Sequence, residues 1–149
     1  MEEKFMRLAL SEAEKAAAIG EIPVGAVVVQ DGKVIAKAYN KRETKKNPLA
    51  HAEIIAINKA SRKLGGWRCI DCDLYVTLEP CPMCAGAIIQ ARINNVYFGA
   101  YDKKAGAFGS VTDISKALPH KVEYQGGVME AECAGILKNF FKNLRKRDK

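Results

Sequence analysis

The chain has 149 residues, of which 48% are hydrophobic and 28% charged, and its formal net charge is +7. This length suits one domain with a proper core, and the balance of residues excludes a disordered or fibrous protein. There is no apolar run of the roughly 20 residues that cross a bilayer, and the N-terminus carries acidic residues where a secretion signal is basic. We therefore expect a single domain over residues 1–149, located in the cytoplasm and without a membrane partner.

The first part of the chain predicts a helix, a hairpin and a second helix. Apolar residues at helical spacing over residues 5–19 predict an amphipathic helix. The segments "GAVVVQ" (25–30) and "KVIAKAYN" (33–40) are predicted as antiparallel strands, because the "DG" between them is a strong hairpin signal. After a polar stretch with a proline, a second helix is predicted to begin near Ala50.

The middle of the chain predicts two strands joined by a helix. The segment "DLYVTL" reads as a strand, "CPMCAGAIIQA" as a helix with proline in its first turn, and "NNVYFGA" as the second strand. A strand, a helix and a strand at this spacing predict a right-handed crossover between parallel strands.

The last part of the chain predicts a loop, a short strand and a helix. Residues 101–113 are glycine-rich and predict a loop, and residues 121–125 predict a short fifth strand. Apolar residues from Cys133 to Leu144 recur at helical spacing, with basic residues mostly elsewhere. They predict a C-terminal helix whose buried stripe includes at least one of two adjacent phenylalanines.

The five cysteines favour metal binding over disulfides. Their count is odd, and the cytoplasm is reducing. The two close pairs, "CIDC" (69–72) and "CPMC" (81–84), raise the alternative of a four-cysteine structural zinc site. The segment between them should run extended and separate the pairs by about 20 Å, whereas zinc–sulfur bonds are about 2.3 Å long. One ion cannot be shared across that gap.

The two cysteine pairs also differ in their local setting. The motif "CPMC" opens a helix, so Cys81 and Cys84 share a face near the positive end of the helix dipole, which favours thiolates. The motif "CIDC" lies in a predicted loop where nothing holds its sulfurs together. We therefore interpret Cys81 and Cys84 as ligands, and Cys69 and Cys72 as ordinary residues.

His51 is the candidate for a third metal ligand. A lone histidine near an apolar run is more often a core or cap residue, but His51 starts the helix after the second strand, much as Cys81 starts the helix after the third. Both starts should lie at the carboxyl edge of the sheet, where sites form. Three protein ligands leave a fourth position for water, as in catalytic zinc sites, and the ion lowers the pKa of that water from roughly 15.7 to about 7.

Glu53 is the candidate proton carrier, because it stands two residues after His51 and can reach a bound water without ligating the metal. A glutamate in the first turn of a helix is also favourable for the helix dipole alone.

The positive charge is concentrated in two stretches. The tail "KNFFKNLRKRDK" carries six Lys or Arg against one Asp, and "KKNPLAH" is also basic. Such clusters suggest a polyanionic partner, although a solvated basic face is the commoner reason for any one charge run. Charge alone therefore leaves nucleic acid as one of two alternatives.

The motif residues resemble those of a known family. "HAE" followed by "PCPMC" has the H-x-E…P-C-x-x-C form of the zinc-dependent cytidine and purine deaminases. With "EIPVGAVVV", "NPLAHAEIIAI", "LYVTLEPCPMCAGAIIQARI", "VYFGAYDKKAGAFGS" and "ECAGILKNFFKNLRKR", the chain resembles the bacterial tRNA adenosine deaminases over nearly its whole length. The glycine-rich loop and the basic tail narrow the resemblance to that family.

The resemblance implies an α/β fold, a three-layer α/β/α sandwich with a five-stranded mixed sheet of the cytidine deaminase type. It also implies a homodimer that converts wobble-position adenosine to inosine in a tRNA anticodon stem-loop, for which we name an arginine tRNA. The implied cofactor is one Zn²⁺ per subunit, held by His51, Cys81 and Cys84, while Glu53 moves protons as hydroxide attacks C6 of adenine. The implied substrate-binding residues are Val24, Asn40, Ala52, Asp102, Lys104, Phe140, Phe141 and Arg145.

Two alternatives remain beside this hypothesis. A guanine or cytidine deaminase acting on a free base or nucleoside would use the same zinc apparatus, but would not need a basic tail with paired aromatic residues. A non-enzymatic RNA-binding protein with a structural zinc would not need Glu53.

Overall fold

The computed structural model of the protein describes residues 1–147. Its elements in chain order are α1 (Glu3–Ala18), β1 (Gly25–Gln30), β2 (Lys33–Tyr39), α2 (Ala52–Leu64), β3 (Cys72–Leu78), α3 (Pro82–Gln90), β4 (Asn95–Ala100), β5 (Glu123–Gln125) and α4 (Glu130–Arg147). The strands form one mixed sheet in the order β2-β1-β3-β4-β5, which confirms the predicted fold class. None of the helices described in residues 1–147 has the length and hydrophobicity to span a membrane.

The hairpin of β1 and β2 forms as predicted. Asp31 and Gly32 both have positive φ angles, of 51° and 73°, as a tight two-residue hairpin turn requires. The strands pair antiparallel from Gly25 with Tyr39 to Gln30 with Lys33. This places the N-terminus of β1 beside the end of β2.

The strand directions bring the starts of α2 and α3 to one edge of the sheet. Strands β2 and β3 both pair antiparallel with β1, so they run in the same direction. Strand β4 is parallel to β3, and α3 makes the predicted crossover between them. Because α2 follows β2 and α3 follows β3, both helices begin at the carboxyl edge of these strands, where α/β proteins place their sites.

Helices cover both faces of the sheet, which gives the three predicted layers. One buried cluster joins a sheet face to α2 and α3 and contains Ala56 and Ile88. A second cluster joins the opposite face to α1 and α4 and contains Met6 and Cys133. Burying such apolar side chains stabilises the fold by about 25 cal/mol per Å².

The predicted buried stripe of α4 is only partly correct. Cys133 is fully buried and Leu137 packs against the core, but Phe141 and Leu144 are each 39% exposed, and Phe140 is half-buried. Neither phenylalanine belongs to a core cluster, so the prediction that at least one packs in the core was wrong. Helical periodicity shows which residues share a face, but not how far the sheet beneath them extends.

Candidate active site

The site begins with two helix N-termini that lie side by side. His51 is the residue that precedes α2, and Cys81 precedes α3, where Pro82 occupies the first helical position. Both flanking residues have extended backbones, with ψ angles of 152° for His51 and 171° for Cys81. The helix predicted near Ala50 therefore starts two residues later, and this places His51 at its entry.

His51, Cys81 and Cys84 form a group with the spacing of metal ligands. His51 Nδ1 lies 3.8 Å from Cys81 Sγ and 3.4 Å from Cys84 Sγ, and all three donor atoms are within 4.8 Å of one another. Donors bound to one tetrahedral zinc at about 2.0–2.3 Å would be separated by roughly 3.5–3.8 Å. The donor set and its spacing both fit a metal ion with nitrogen and sulfur ligands.

The three side chains of this group perturb one another's ionisation. Hydrogen bonds from the Cys84 thiol and from His51 lower the pKa of Cys81 to about 4, against the opposing effect of burial. The same contact with Cys81, together with burial, raises the pKa of the Cys84 thiol, and the hydrogen bond with Cys81 raises the pKa of His51. A thiolate is thus stabilised at Cys81, and a thiolate is the form that binds metal.

Glu53 lies in the same cavity with a strongly perturbed carboxyl group. It is 4% exposed, and burial raises its pKa to about 7 although its own backbone N–H and the charge of His51 act in the opposite direction. The potential metal-ligand group found in residues 1–147 consists of His51, Cys81 and Cys84, without Glu53. A buried carboxyl beside a metal site, with a pKa near neutrality, can accept a proton and return it.

These residues open into a cavity of about 410 Å³, a size common for small-molecule sites. His51, Glu53 and Cys81 line it, while Cys84 is fully buried behind them. The other lining residues come from the α1–β1 turn, the β2–α2 loop, the ends of β3 and β4, and α4: Gly20, Glu21, Ile22, Val24, Asn40, Arg42, Glu43, Leu78, Glu79, Asp102, Phe140, Phe141 and Leu144. Its contour is mostly that of the predicted site.

Asn40 holds one wall of the cavity together. Its Nδ2 donates to the Ile22 carbonyl at 3.2 Å, and its Oδ1 accepts from the Ala52 N–H at 2.8 Å. Its backbone N–H also donates to the Val24 carbonyl at 3.1 Å. Val24 lines the cavity, whereas Ala52 is fully buried, outside the lining set, and has its N–H engaged by Asn40.

The predicted RNA-contact residues of the glycine-rich loop and of α4 divide into two groups. Asp102 lines the cavity, and its Oδ1 accepts from the Lys104 N–H at 3.0 Å and the Ala105 N–H at 3.1 Å. Lys104 and Arg145 are exposed and lie outside the lining set. The structure therefore brings Asp102 to the cavity, but not these two basic residues.

Glu79 is a buried site residue that the sequence patterns did not single out. It is 2% exposed, and its carboxylate accepts from the N–H groups of Asp102, Phe108 and Ser110 at 3.1 Å each, and from the Ser110 hydroxyl. A Cβ added at Gly106 would clash with this carboxylate. Glu79 thus ties the segment leading to Cys81 to the glycine-rich loop. A glutamate directly between an apolar strand and the cysteine motif was the signal available.

Glu21 is a second carboxylate missed in the sequence, and it holds the β2–α2 loop. It is 2% exposed and accepts from the Glu43 N–H at 3.1 Å, the Thr44 N–H at 2.6 Å and the Thr44 hydroxyl at 2.5 Å. Burial opposes its ionisation, but the hydrogen bonds from Thr44 and Glu43 outweigh burial and hold the pKa of this carboxyl below its usual value. No local pattern marked it, because its partners lie about 20 residues away.

Cys69 and Cys72 are both fully buried, and their thiols do interact. A hydrogen bond from Cys72 lowers the pKa of Cys69 to about 6, so the expectation that nothing holds these sulfurs together was wrong. The seven-residue strand β3 nevertheless separates them from Cys81 by about 20 Å. This excludes the four-cysteine zinc site.

Comparisons with known proteins agree with this geometry. The sequence model of the MafB19-like deaminase family matches residues 1–145. The tRNA-specific adenosine deaminase of Bacillus subtilis (strain 168) is 47% identical over 150 residues, which cover 99% of this chain and 93% of that protein. A solved structure from a study of A-to-I editing by tRNA:A34 deaminases at the wobble position has a TM-score of 0.86 at 44% identity, covering 91% of this chain and all of that one. A guanine deaminase structure from Bacillus subtilis has a TM-score of 0.65 at 44% identity, covering 68% of this chain and 65% of that one.

Proposed function

Because the chain belongs to the family of tRNA-specific adenosine deaminases, we propose that it converts adenosine to inosine at the wobble position of a tRNA anticodon loop. The observation that carries the proposal is the convergence of His51, Cys81, Cys84 and Glu53 on one cavity, in a chain related to such enzymes over 99% of its length.

We propose that His51, Cys81 and Cys84 hold one zinc ion per subunit. Their spacing and their nitrogen and sulfur donors support this assignment, because neutral imidazole and thiolate suit zinc. When bound, zinc lowers the pKa of a coordinated water to about 7 and so supplies hydroxide at neutral pH.

Glu53 is the proposed proton carrier of the reaction. It takes a proton from the attacking water, then delivers protons to the adenine ring and to the leaving amino group, so that adenosine and water yield inosine and ammonia. Its burial and its pKa of about 7 support this role, since a group that both accepts and donates protons works best with a pKa near the working pH.

An anticodon loop suits this cavity as a substrate. Its bases are unstacked, so turning one into a pocket costs only a few kcal/mol, less than extraction from a duplex. We propose that the base enters between the wall held by Asn40 and the aromatic pair of α4, Phe140 and Phe141. The ring centroids of that pair are 5.4 Å apart and their planes meet at 77°, which leaves ring surface available to a neighbouring base.

The Phe141→Ala variant is expected to raise KM for an anticodon stem-loop by about tenfold, with kcat nearly unchanged. Stacking of one base on one aromatic ring contributes about 1–3 kcal/mol, and Phe141 lines the cavity mouth with 39% of its surface exposed. Steady-state inosine formation gives both constants. Trp67→Ala is the matched control, because Trp67 is also exposed but lies outside the cavity. A wild-type KM for Phe141→Ala would contradict stacking at this position.

The proposed activity is tested by offering zinc-loaded protein an arginine tRNA anticodon stem-loop with wobble adenosine, beside free adenosine, guanine and cytidine. Mass spectrometry of each product is expected to show inosine in the stem-loop and no turnover of the free compounds. Turnover of guanine alone would instead assign the activity that the similar guanine deaminase suggests. That result would keep the metal group and overturn the substrate.

We further propose that the protein acts in the cytoplasm as a homodimer. The support is its family, whose resemblance implies both, and its action on tRNA. Light scattering of the purified zinc-loaded protein checks the oligomeric state, with twice the chain mass of 16.3 kDa expected.

A further inference from the structure

A group of lysines surrounds the open edge of the sheet. Strand β2 is the first in the strand order, so one side of its backbone has no strand partner among the described residues. Helices α1 and α2 pack on opposite faces beside it. Five lysines from α1, β2, the β2–α2 loop and α2 lie around this edge, and we call them the lysine edge: Lys15, Lys37, Lys41, Lys45 and Lys59.

Contacts show that these lysines lie close together. Lys59 Nζ donates to the Lys37 carbonyl at 2.8 Å, which fills part of the open strand edge. Lys41 Nζ lies 4.9 Å from the ring centroid of Tyr39, on the same strand. Burial and then the charge of Lys41 lower the pKa of Lys59, and Lys45 and Lys15 act in the same direction. The ammonium groups are therefore near enough to repel one another.

Carboxylates of the protein balance little of this charge. Lys15 forms an ion pair with Glu12 at 2.6 Å. Within residues 1–147, the other four lysines form no ion pair with a described carboxylate. A surface that holds like charges together without internal partners is complementary to a polyanion.

The lysine edge is continuous with the cavity. Arg42, next to Lys41, lines the cavity, and the loop that carries both is fastened by the hydrogen bonds of Glu43 and Thr44 to buried Glu21. Along α2, Lys59 lies eight residues beyond His51, which is about 12 Å at 1.5 Å per residue. The basic surface thus begins at the cavity mouth and runs away from the metal ligands.

We propose that the lysine edge binds the sugar–phosphate backbone of the RNA stem that adjoins the nucleotide held in the cavity. This inference rests on the proposed function, because it takes the substrate to be a structured RNA. Double-stranded nucleic acid carries one charge per roughly 1.7 Å of axis, so a surface of about 12 Å faces several phosphates. The edge would supply affinity that does not depend on sequence, and the cavity would select the base.

The test compares two triple variants with the same loss of charge. Lys37→Gln/Lys45→Gln/Lys59→Gln removes charge from the lysine edge, and Lys33→Gln/Lys63→Gln/Lys116→Gln removes it from exposed positions elsewhere. Fluorescence anisotropy measures binding of a labelled anticodon stem-loop across a range of salt concentrations. The edge variant is expected to bind about 10–100-fold more weakly and to reduce the slope of log affinity against log salt by about 2, because each lost phosphate contact removes about 0.7–0.9. The control is expected to keep the wild-type slope.

Turnover and aggregation measurements distinguish phosphate binding at the lysine edge from a general effect of net charge and from protection of the open strand. At saturating stem-loop, the edge variant should keep the wild-type kcat while its KM rises, since its substitutions lie outside the cavity lining. Equal losses of affinity in both triple variants would overturn the proposal, because net charge alone would then account for them. Aggregation of the edge variant with unchanged RNA affinity would also overturn it, and would assign the lysines to protection of an open strand edge.

Failure of the proposed function is distinguishable from failure of this inference. Wild-type protein that binds the stem-loop with the lysine-dependent salt slope but forms no inosine would refute the activity and support the lysine edge. Inosine formation with identical slopes in all three proteins would support the activity and overturn the lysine edge.

Discussion

The Glu53→Gln variant is expected to lose at least about 1,000-fold in deamination rate while it keeps its metal. Positioned proton transfer contributes about 10²–10⁴-fold to enzyme rates, and here one carboxyl is proposed to serve several transfers. Glutamine has nearly the same shape, so the cavity and the metal group should persist, but it cannot accept and return a proton. Inosine formation in a stem-loop, measured beside zinc content by mass spectrometry, checks both parts.

Two observations would decide the role of Glu53. Glu14→Gln, at an exposed position of α1, is the control for loss of one carboxylate and should retain full activity. Glu53→Gln with activity within about tenfold of wild type would refute the proton carrier, because even the low end of general acid–base catalysis is larger. Loss of zinc in the variant would instead assign Glu53 to the metal site.

The Cys84→Ala variant is expected to lose most of its zinc and more than about 100-fold of its activity. Cys84 is fully buried, with its Sγ 3.4 Å from His51 Nδ1, so no nearby water can replace the missing donor easily. Changes in residues that merely support metal ligands already cost about 10–100-fold in affinity or activity. Zinc stoichiometry after exhaustive dialysis and the rate of inosine formation are the measurements.

A second buried cysteine separates metal loss from loss of packing. Cys69→Ala removes the same atoms from an equally buried position outside the metal-ligand group, so both variants should lose a similar amount of stability to the cavity left behind. Cys69→Ala is expected to keep its zinc and its activity. Full zinc content in Cys84→Ala would contradict the ligand assignment.

The cavity owes its shape to two carboxylates that touch no metal ligand in the proposed mechanism. Glu21 holds the β2–α2 loop and Glu79 holds the glycine-rich loop, each mainly through backbone N–H groups of the loop. A buried carboxylate is costly unless it is hydrogen-bonded, so each loop has one favourable position. Preorganised loops place their side chains with little loss of entropy on binding.

Local patterns in the sequence were enough to predict the elements and the metal group. The "DG" turn has the positive φ angles that select a hairpin, and Pro82 marks the start of α3. The spacing of Cys81 and Cys84 follows from one helical turn, and the extended strand before them excluded a shared ion with Cys69 and Cys72. These features depend on neighbours within a few residues, which is why the sequence alone determines them.

Tertiary structure decided which distant groups meet. His51 approaches Cys81 only because β2 and β3 run in the same direction, and Glu21 finds its partners in a loop about 20 residues later. The end of α4 presents Phe141 to the cavity rather than to the core. Helical periodicity defines a common face for such residues, but only the extent of the packed sheet determines whether that face is buried or left open to a substrate.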